Sequence, residues 1–291
     1  MRKRNNDIQL TSYEELLGMD YGTNENTEKI KKVPLTELHT FKDHPFRVVD
    51  DEKMEETTES ISKYGVLVPA IARPRTGGGY ELIAGHRRKR GSERAGKTEM
   101  PVIIRNYTDD EAIIIMVDSN IQREDILPSE KAKAYSMKYE AMKHQGKKAG
   151  GSTLDAIGEQ AGESGKTVQR YIWLARLSDE LLEMVDSKKI GFVQGVDISY
   201  LTNEAQDWVF EILSNQKGSI NTTQSGKLKE YAKSGELTSA MVHLILSEKK
   251  QKERKVSIKA DKISQYFPEE YSIEDIETVI YELLEEWKNR T

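Results

Sequence analysis

The chain has 291 residues, 44 Lys plus Arg against 49 Asp plus Glu, a net charge of −5 and no cysteine. At roughly 100–200 residues per domain this length suggests about two or three domains, and 36% hydrophobic with 32% charged residues points to modest cores and much solvated helix surface. The missing cysteines exclude a disulfide scaffold, a cysteine-held metal and thiol catalysis, and no apolar run approaches the roughly 20 residues of a membrane-crossing helix.

Residues 1–32 are polar around one apolar patch, Ile8, Leu10, Tyr13, Leu16 and Leu17, and read as a flexible N-terminal arm. The basic start has no apolar stretch behind it, so it is not expected to act as a secretory signal. From Val33 the texture changes. Asp50 and Asp51 can cap a helix that carries Met54, Ile61 and Tyr64 on one side and ends at Gly65. Val66 to Ala72 reads as a buried strand, Gly77 to Gly79 as a turn, and Tyr80 to Ala84 as the second arm of a hairpin. A helix from Gly85 to about Ala95, a strand over Pro101 to Arg105 and a Thr108-capped helix to about Ser119 complete an α/β unit. Pro128-Ser129-Glu130 opens another helix, to about His144, leading away from it. Residues 146–152 form a basic linker, and beyond it the pattern is all-helical: Thr153–Ala161, Ser164–Ala175, Asp179–Lys188, Asn203–Leu213 and weaker helices to about 247. A basic stretch, 247–259, precedes a last helix over Ser272–Asn289.

Three constellations carry chemistry. Leu82-Ile83-Ala84-Gly85-His86-Arg87-Arg88 is a strand, a glycine and an arginine-rich helix start. Helix N-termini offer unpaired N–H groups to anions and disfavour cations. Two arginines there therefore imply that an anion is expected. A second polar run, Asp118 to Asp125, closes a helix and enters a loop, where capping and turn formation account for most of its composition.

The third is a helix-turn-helix. Leu154, Ile157 and Ala161 give an apolar face, Gly162 the turn and Ser164 a cap, while Val168, Ile172 and Leu174 point inward. Lys166, Thr167, Gln169 and Arg170 remain for the outer face, residue types that suit base edges and phosphates in a major groove. A helical hairpin in a non-binding bundle is the alternative. On the last helix Ile273, Ile276, Ile280, Leu283 and Trp287 step by 3, 4, 3, 4, a heptad seam that needs a partner, either a second copy or the chain's own helices.

Taken in order, Gly65-Val66-Leu67-Val68-Pro69, Gly85-His86-Arg87-Arg88-Lys89-Arg90 and Asn120-Ile121-Gln122-Arg123-Glu124-Asp125, followed by a helix-turn-helix, resemble the ParB family of partition proteins over about residues 33–215. The resemblance implies an α+β chain: an arm (1–32), a ParB-like nucleotide-pocket domain (33–127), a helix-turn-helix domain (128–246) and a basic linker with a dimerisation helix (247–291). It implies a centromere-binding homodimer that reads a palindromic double-stranded DNA site through Ser164, Lys166, Thr167, Gln169 and Arg170. CTP and Mg are the implied cofactors, with Gly65, Gly85, His86, Arg87, Arg88, Asn120 and Arg123 as the nucleotide site and Asn120 beside the metal. DNA then licenses closure into a sliding clamp. A ParA-type ATPase is the implied partner, met by Arg2, Lys3 and Arg4, and the expected location is cytoplasmic, on the nucleoid.

The chain departs from the family at His86 and Ser119, where the family usually carries glutamates, and at Val68, where glutamine is common. These changes bear against hydrolysis of CTP to CDP. They motivate a second reading, a nucleotide-independent regulator or mobile-element accessory factor. A sulfiredoxin-like enzyme is excluded for want of cysteine, and no cluster of acids supports a nuclease.

The charge is segregated. Residues 261–291 hold nine acids and three bases, whereas 73–94 carry a net +5, 142–176 +3 and 247–259 +4. An acidic total thus conceals basic patches where an anion or DNA would sit.

Overall fold

The computed structural model describes residues 30–123, 125–145, 151–215, 219–247, 260–268 and 270–290. Arg2, Lys3 and Arg4, residues 146–150 of the linker and residues 248–259 of the second basic stretch lie outside them. The chain divides into two compact units, one up to Leu246 and one from Ser247.

The first unit begins with a five-stranded mixed sheet in the order β1-β5-β3-β4-β2. Its strands are β1 (Ile30–Pro34), β2 (Leu38–Thr40), β3 (Ala70–Pro74), β4 (Tyr80–Ala84) and β5 (Glu99–Ile104). β3 and β4 form the expected antiparallel hairpin, β3 runs parallel to β5 and β4 parallel to β2. Helix α1 (Glu52–Tyr64) starts where the Asp51 carboxylate accepts the Met54 N–H at 2.8 Å, and acids fill its first turn. α2 (His86–Arg94) follows β4 directly, and α3 (Asp109–Asp118) opens with a Thr108/Glu111 capping box.

Three expectations change. Strands β1 and β2 were not foreseen, and β1 begins at Ile30, inside the segment read as an arm. It is an edge strand in which Val33 alone is buried, so it leaves no alternating signature. The strand read as Val66–Ala72 starts only at Ala70, with Leu67 75% exposed. Pro69 has no N–H for a ladder, and the carbonyls of Val68 and Pro69 instead accept from Arg88. Tyr64, expected on the apolar face of α1, is exposed at its final position, beyond the crossing where Ile61 and Thr57 close on Gly91 of α2.

Successive residues of a strand face opposite ways, and β4 uses this to serve two cores. Leu82 packs with Val33, Leu38, Ala70, Ala72 and Val102 on one face of the sheet. Ile83 packs on the other with Ala112 and Met116 of α3, and this cluster continues into Tyr135 of α4 (Pro128–His144), Ile157 of α5 (Gly151–Glu159) and Val168 of α6 (Gly165–Leu174). Each such fully buried side chain contributes roughly 1.5–3 kcal/mol. The sheet and the helix-turn-helix therefore share one core.

Helices α5 and α6 are the expected helix-turn-helix, with Ser164 accepting the Thr167 N–H at 3.2 Å and Gly162 in the turn. The backbones approach so closely that a Cβ on Gly158 would fall 2.3 Å from the Glu163 carbonyl. Side chains of α4 hold that turn. Lys131 Nζ and Tyr135 Oη donate to Glu163 at 2.5 and 2.8 Å, and the buried Lys138 ammonium bridges Asp118 of α3 and the side-chain Oε1 of Gln160.

Helices α7 (Asp179–Asp186), α8 (Phe192–Ile198), α9 (Asn203–Asn215), α10 (Thr222–Ser234) and α11 (Ser239–Ser247) enclose a further core around Leu174, Leu181, Ile198 and Leu228. In the second unit α12 (Ala260–Ile263) precedes α13 (Ile273–Arg290), which has no buried residue; Ile273 and Leu283 are 78% and 58% exposed. The fold is α+β, and among the described residues no helix is long and apolar enough to cross a membrane.

Candidate functional site

A cavity of about 170 Å³ opens where β4 passes into α2, against the end of α3. Gly85, His86, Arg87, Arg88, Ser119, Asn120 and Arg123 line it, so both motifs that the sequence separates by more than thirty residues meet here. Gly65 does not. It ends α1 with φ of 74° and is absent from the lining. The lining also includes His44, Phe46, Arg47 and Val48, from the loop between β2 and α1, which sequence reasoning missed.

Gly85 makes the junction possible. It turns the chain at φ 108°, and a Cβ there would stand 2.9 Å from the Ala70 Cβ, so a side chain is refused on both counts. The turn sets the first N–H groups of α2 at the cavity. Lys89 N–H bonds back to the Gly85 carbonyl at 2.9 Å, which starts the helical ladder.

The cations around the cavity are differently engaged. Arg87 pairs with Asp51 at 2.9 Å and Arg88 Nη1 donates to the Val68 and Pro69 carbonyls, both at 2.6 Å. One turn further along α2, Arg90 forms a two-pronged pair with Asp50. Arg87 and Arg90 respectively hold the Asp51 and Asp50 carboxyls below their ordinary range. The Arg123 guanidinium has no ion-pair partner among the described residues. Asn120 Nδ2 donates to the Met116 carbonyl at 2.9 Å and Ser119 Oγ does the same, closing the end of α3.

His86, at the first position of α2, stacks on His44 with ring centroids 3.9 Å apart and planes tilted by 44°. Burial pushes His86 down to about 3, helped by His44, Lys89 and Arg88. Burial also lowers His44, with Arg123 adding to it against a hydrogen bond from Nδ1 to the Phe46 carbonyl at 2.8 Å. The Nε2 atoms of both rings are buried and unpartnered. Among the described residues no carboxylate lines the cavity, and no group of three His, Asp or Glu residues converges. This donor set does not build a magnesium site, which draws on carboxylates.

At the helix-turn-helix, Lys166 and Arg170 are exposed and without an ion-pair partner among the described residues. Thr167 and Gln169 are half-buried rather than fully outward, and Ser164 is occupied as the cap.

An α/β domain with a cationic cavity shares a core with a helix-turn-helix, which defines a two-part architecture whose halves are physically joined. The profile of the ParB N-terminal domain matches residues 19–121. A chromosome-partitioning protein Spo0J of Thermus thermophilus is 31% identical over 69% of this chain and 70% of its own. A probable chromosome 1-partitioning protein ParB of Deinococcus radiodurans is 32% identical over 72% and 66%, and a nucleoid occlusion protein of Lysinibacillus sphaericus 34% identical over 56% and 52%. The chain spans about half of some of these relatives and up to 70% of others. The truncated chromosome-partitioning protein ParB of Caulobacter crescentus, solved with its centromeric parS site, overlays 69% of this chain and 98% of its own at 23% identity, with a TM-score of 0.42 that is too low to bear on the geometry. The chain belongs to the ParB family.

Proposed function

We propose that this chain is a partition-type, site-specific DNA-binding protein whose nucleotide pocket controls how two copies engage DNA. The observation that carries the reading is the basic cavity formed by Gly85, His86, Arg87, Arg88, Asn120 and Arg123, set on the same core as the helix-turn-helix. In it the α2 N-terminus and Arg87, Arg88 and Arg123 take the triphosphate of CTP. Lys166 and Arg170, flanked by Thr167 and Gln169, enter the major groove of a palindromic site. The seam of α13, Ile273, Ile276, Ile280, Leu283 and Trp287, joins the two copies, and Arg2, Lys3 and Arg4 reach a ParA-type ATPase. The protein then works in the cytoplasm, on the nucleoid.

Magnesium enters, if at all, on the phosphates of the nucleotide, and no step here depends on it. With no carboxylate among the described lining residues to orient a water, the reading makes binding rather than turnover of CTP the switch. The test is entrapment. Full-length protein, with a DNA site selected from genomic fragments, should remain on a closed DNA circle at high salt only when CTP is present, and linearising the circle should release it. Retention that ignores CTP, with unchanged footprints in Arg123→Ala, supports the second reading instead, a nucleotide-independent regulator. Arg88, already bonded to two backbone carbonyls, favours that alternative.

A further inference from the structure

The stacked histidines stand as a wall between the cavity just described and a second one of about 320 Å³, lined by Thr40, His44, Phe46, Val48, His86, Lys89, Arg90 and Glu93. Carbonyl oxygens only accept, so the 2.8 Å contact with Phe46 fixes a hydrogen on Nδ1 of His44. Its Nε2 then carries a bare lone pair, buried and unbonded, in a ring that lines a cavity rich in cationic side chains. A lone pair there repels an anion. A proton on it becomes one more donor.

We propose that His44 acts as the imidazolium beside a bound anion, so that a polyphosphate enters this cavity together with one proton taken up at His44 Nε2. This rests on the reading of the cavity as a polyphosphate site. The charged groups lining the two cavities around the ring are mostly cationic: Arg87, Arg88, Lys89 and Arg90 of α2, Arg123 beyond α3 and Arg47 on its own loop, with Glu93 tied to Lys89 at 2.9 Å. Burial holds the pair neutral and this surrounding field adds to it. An arriving polyphosphate reverses the field, and by linkage whatever favours the proton favours the anion equally. Only one proton is taken up, because two imidazolium rings 3.9 Å apart would repel strongly. The proton goes to His44 and not to His86, since His86 is the more strongly held neutral and sits on the positive end of α2.

The experiment is calorimetric titration of the full chain with CTP, and in parallel with inorganic tripolyphosphate, in buffers of different ionisation enthalpy between about pH 5.5 and 8. Wild type, His44→Gln and His86→Gln are compared, with thermal melts confirming that each is folded. Protonation of the ligand itself is common to all three, so the differences belong to the protein. Wild type should take up close to one proton more per site than His44→Gln, and its Kd should rise by up to about tenfold more per pH unit. His86→Gln should keep the linkage. Equal proton counts in wild type and His44→Gln, or a linkage lost in His86→Gln but kept in His44→Gln, overturn the proposal. Proton-linked tripolyphosphate binding with no preference for CTP upholds it while removing CTP from the functional reading. No binding of either ligand at any pH removes both.

Discussion

The cavity and the outer face of α6 are both basic, but their cations are held in opposite ways. Arg87, Arg88 and Arg90 at α2 are tied to Asp51, to two backbone carbonyls and to Asp50, whereas Lys166 and Arg170 on α6 stand exposed with no ion-pair partner among the described residues. A cation already paired must exchange partners to meet a ligand, so the proposed occupancy of the cavity would disturb α1 and the Val66–Pro69 segment. A cation in solvent meets a phosphate or a base without rearranging anything. One region is built to couple, the other to dock.

The comparison is broken most severely at its joint. Lys138 is 3% exposed and bridges Asp118 at the end of α3 to Gln160 in the helix-turn-helix turn. Asp118→Ala leaves a buried ammonium short of its counter-charge and is expected to destabilise the first unit by about 3–5 kcal/mol, read from urea unfolding. A loss under 1 kcal/mol would mean that the ion pair does not join the two regions.

Arg170→Ala sharpens the docking side. If Arg170 reads a base edge, the substitution weakens the cognate site by about 1–3 kcal/mol and relaxes specificity at one position. Equal weakening on all sequences, with a shallower salt dependence, would make it a phosphate contact instead. Competition binding across a library of single-base variants separates the two.

The smallest effect tests the coupling side without a ligand. His86 is neutral in the fold down to about pH 3, whereas in the unfolded chain it gains a proton near its ordinary 6.5. Below 6.5 the unfolded state therefore binds more protons, and stability falls as the pH drops toward 3. At pH 6 the contribution is about 1 kcal/mol relative to pH 8. Denaturant midpoints of wild type should decline between those values more than those of His86→Gln, and parallel curves would place His86 in a more solvated setting than its buried Nε2 indicates.

Much of the cavity was legible because its parts are local. A glycine between a strand and an arginine-rich helix start announces an anion site in a handful of residues, and Asp51, Thr108 and Ser164 announce their helices by capping. What escaped is non-local. His44 and His86 are 42 positions apart and nothing periodic links them; only the sheet, by placing β2 beside β4, brings their rings together. The Val66–Ala72 run misled for the converse reason. Its composition suits a buried strand, but Pro69 has no donor and its carbonyl is wanted by Arg88. The edge strand β1 was hidden because Lys31 and Lys32 face outward and only Val33 is buried.

Ile83, Met116, Tyr135 and Val168 lie in a single cluster drawn from the sheet, α3, α4 and α6. A DNA-reading module attached through such a cluster is not a cartridge. Grafting the helix-turn-helix of a relative onto this sheet would set foreign side chains against Ile83 and Met116, and mismatches of a single methylene are felt in close-packed interiors. If α6 reads DNA as proposed, altered site preference is more readily acquired by exchanging the few solvent-facing residues of α6 than by recombining whole halves, and lineages descending from this chain should change their sites in that piecemeal manner.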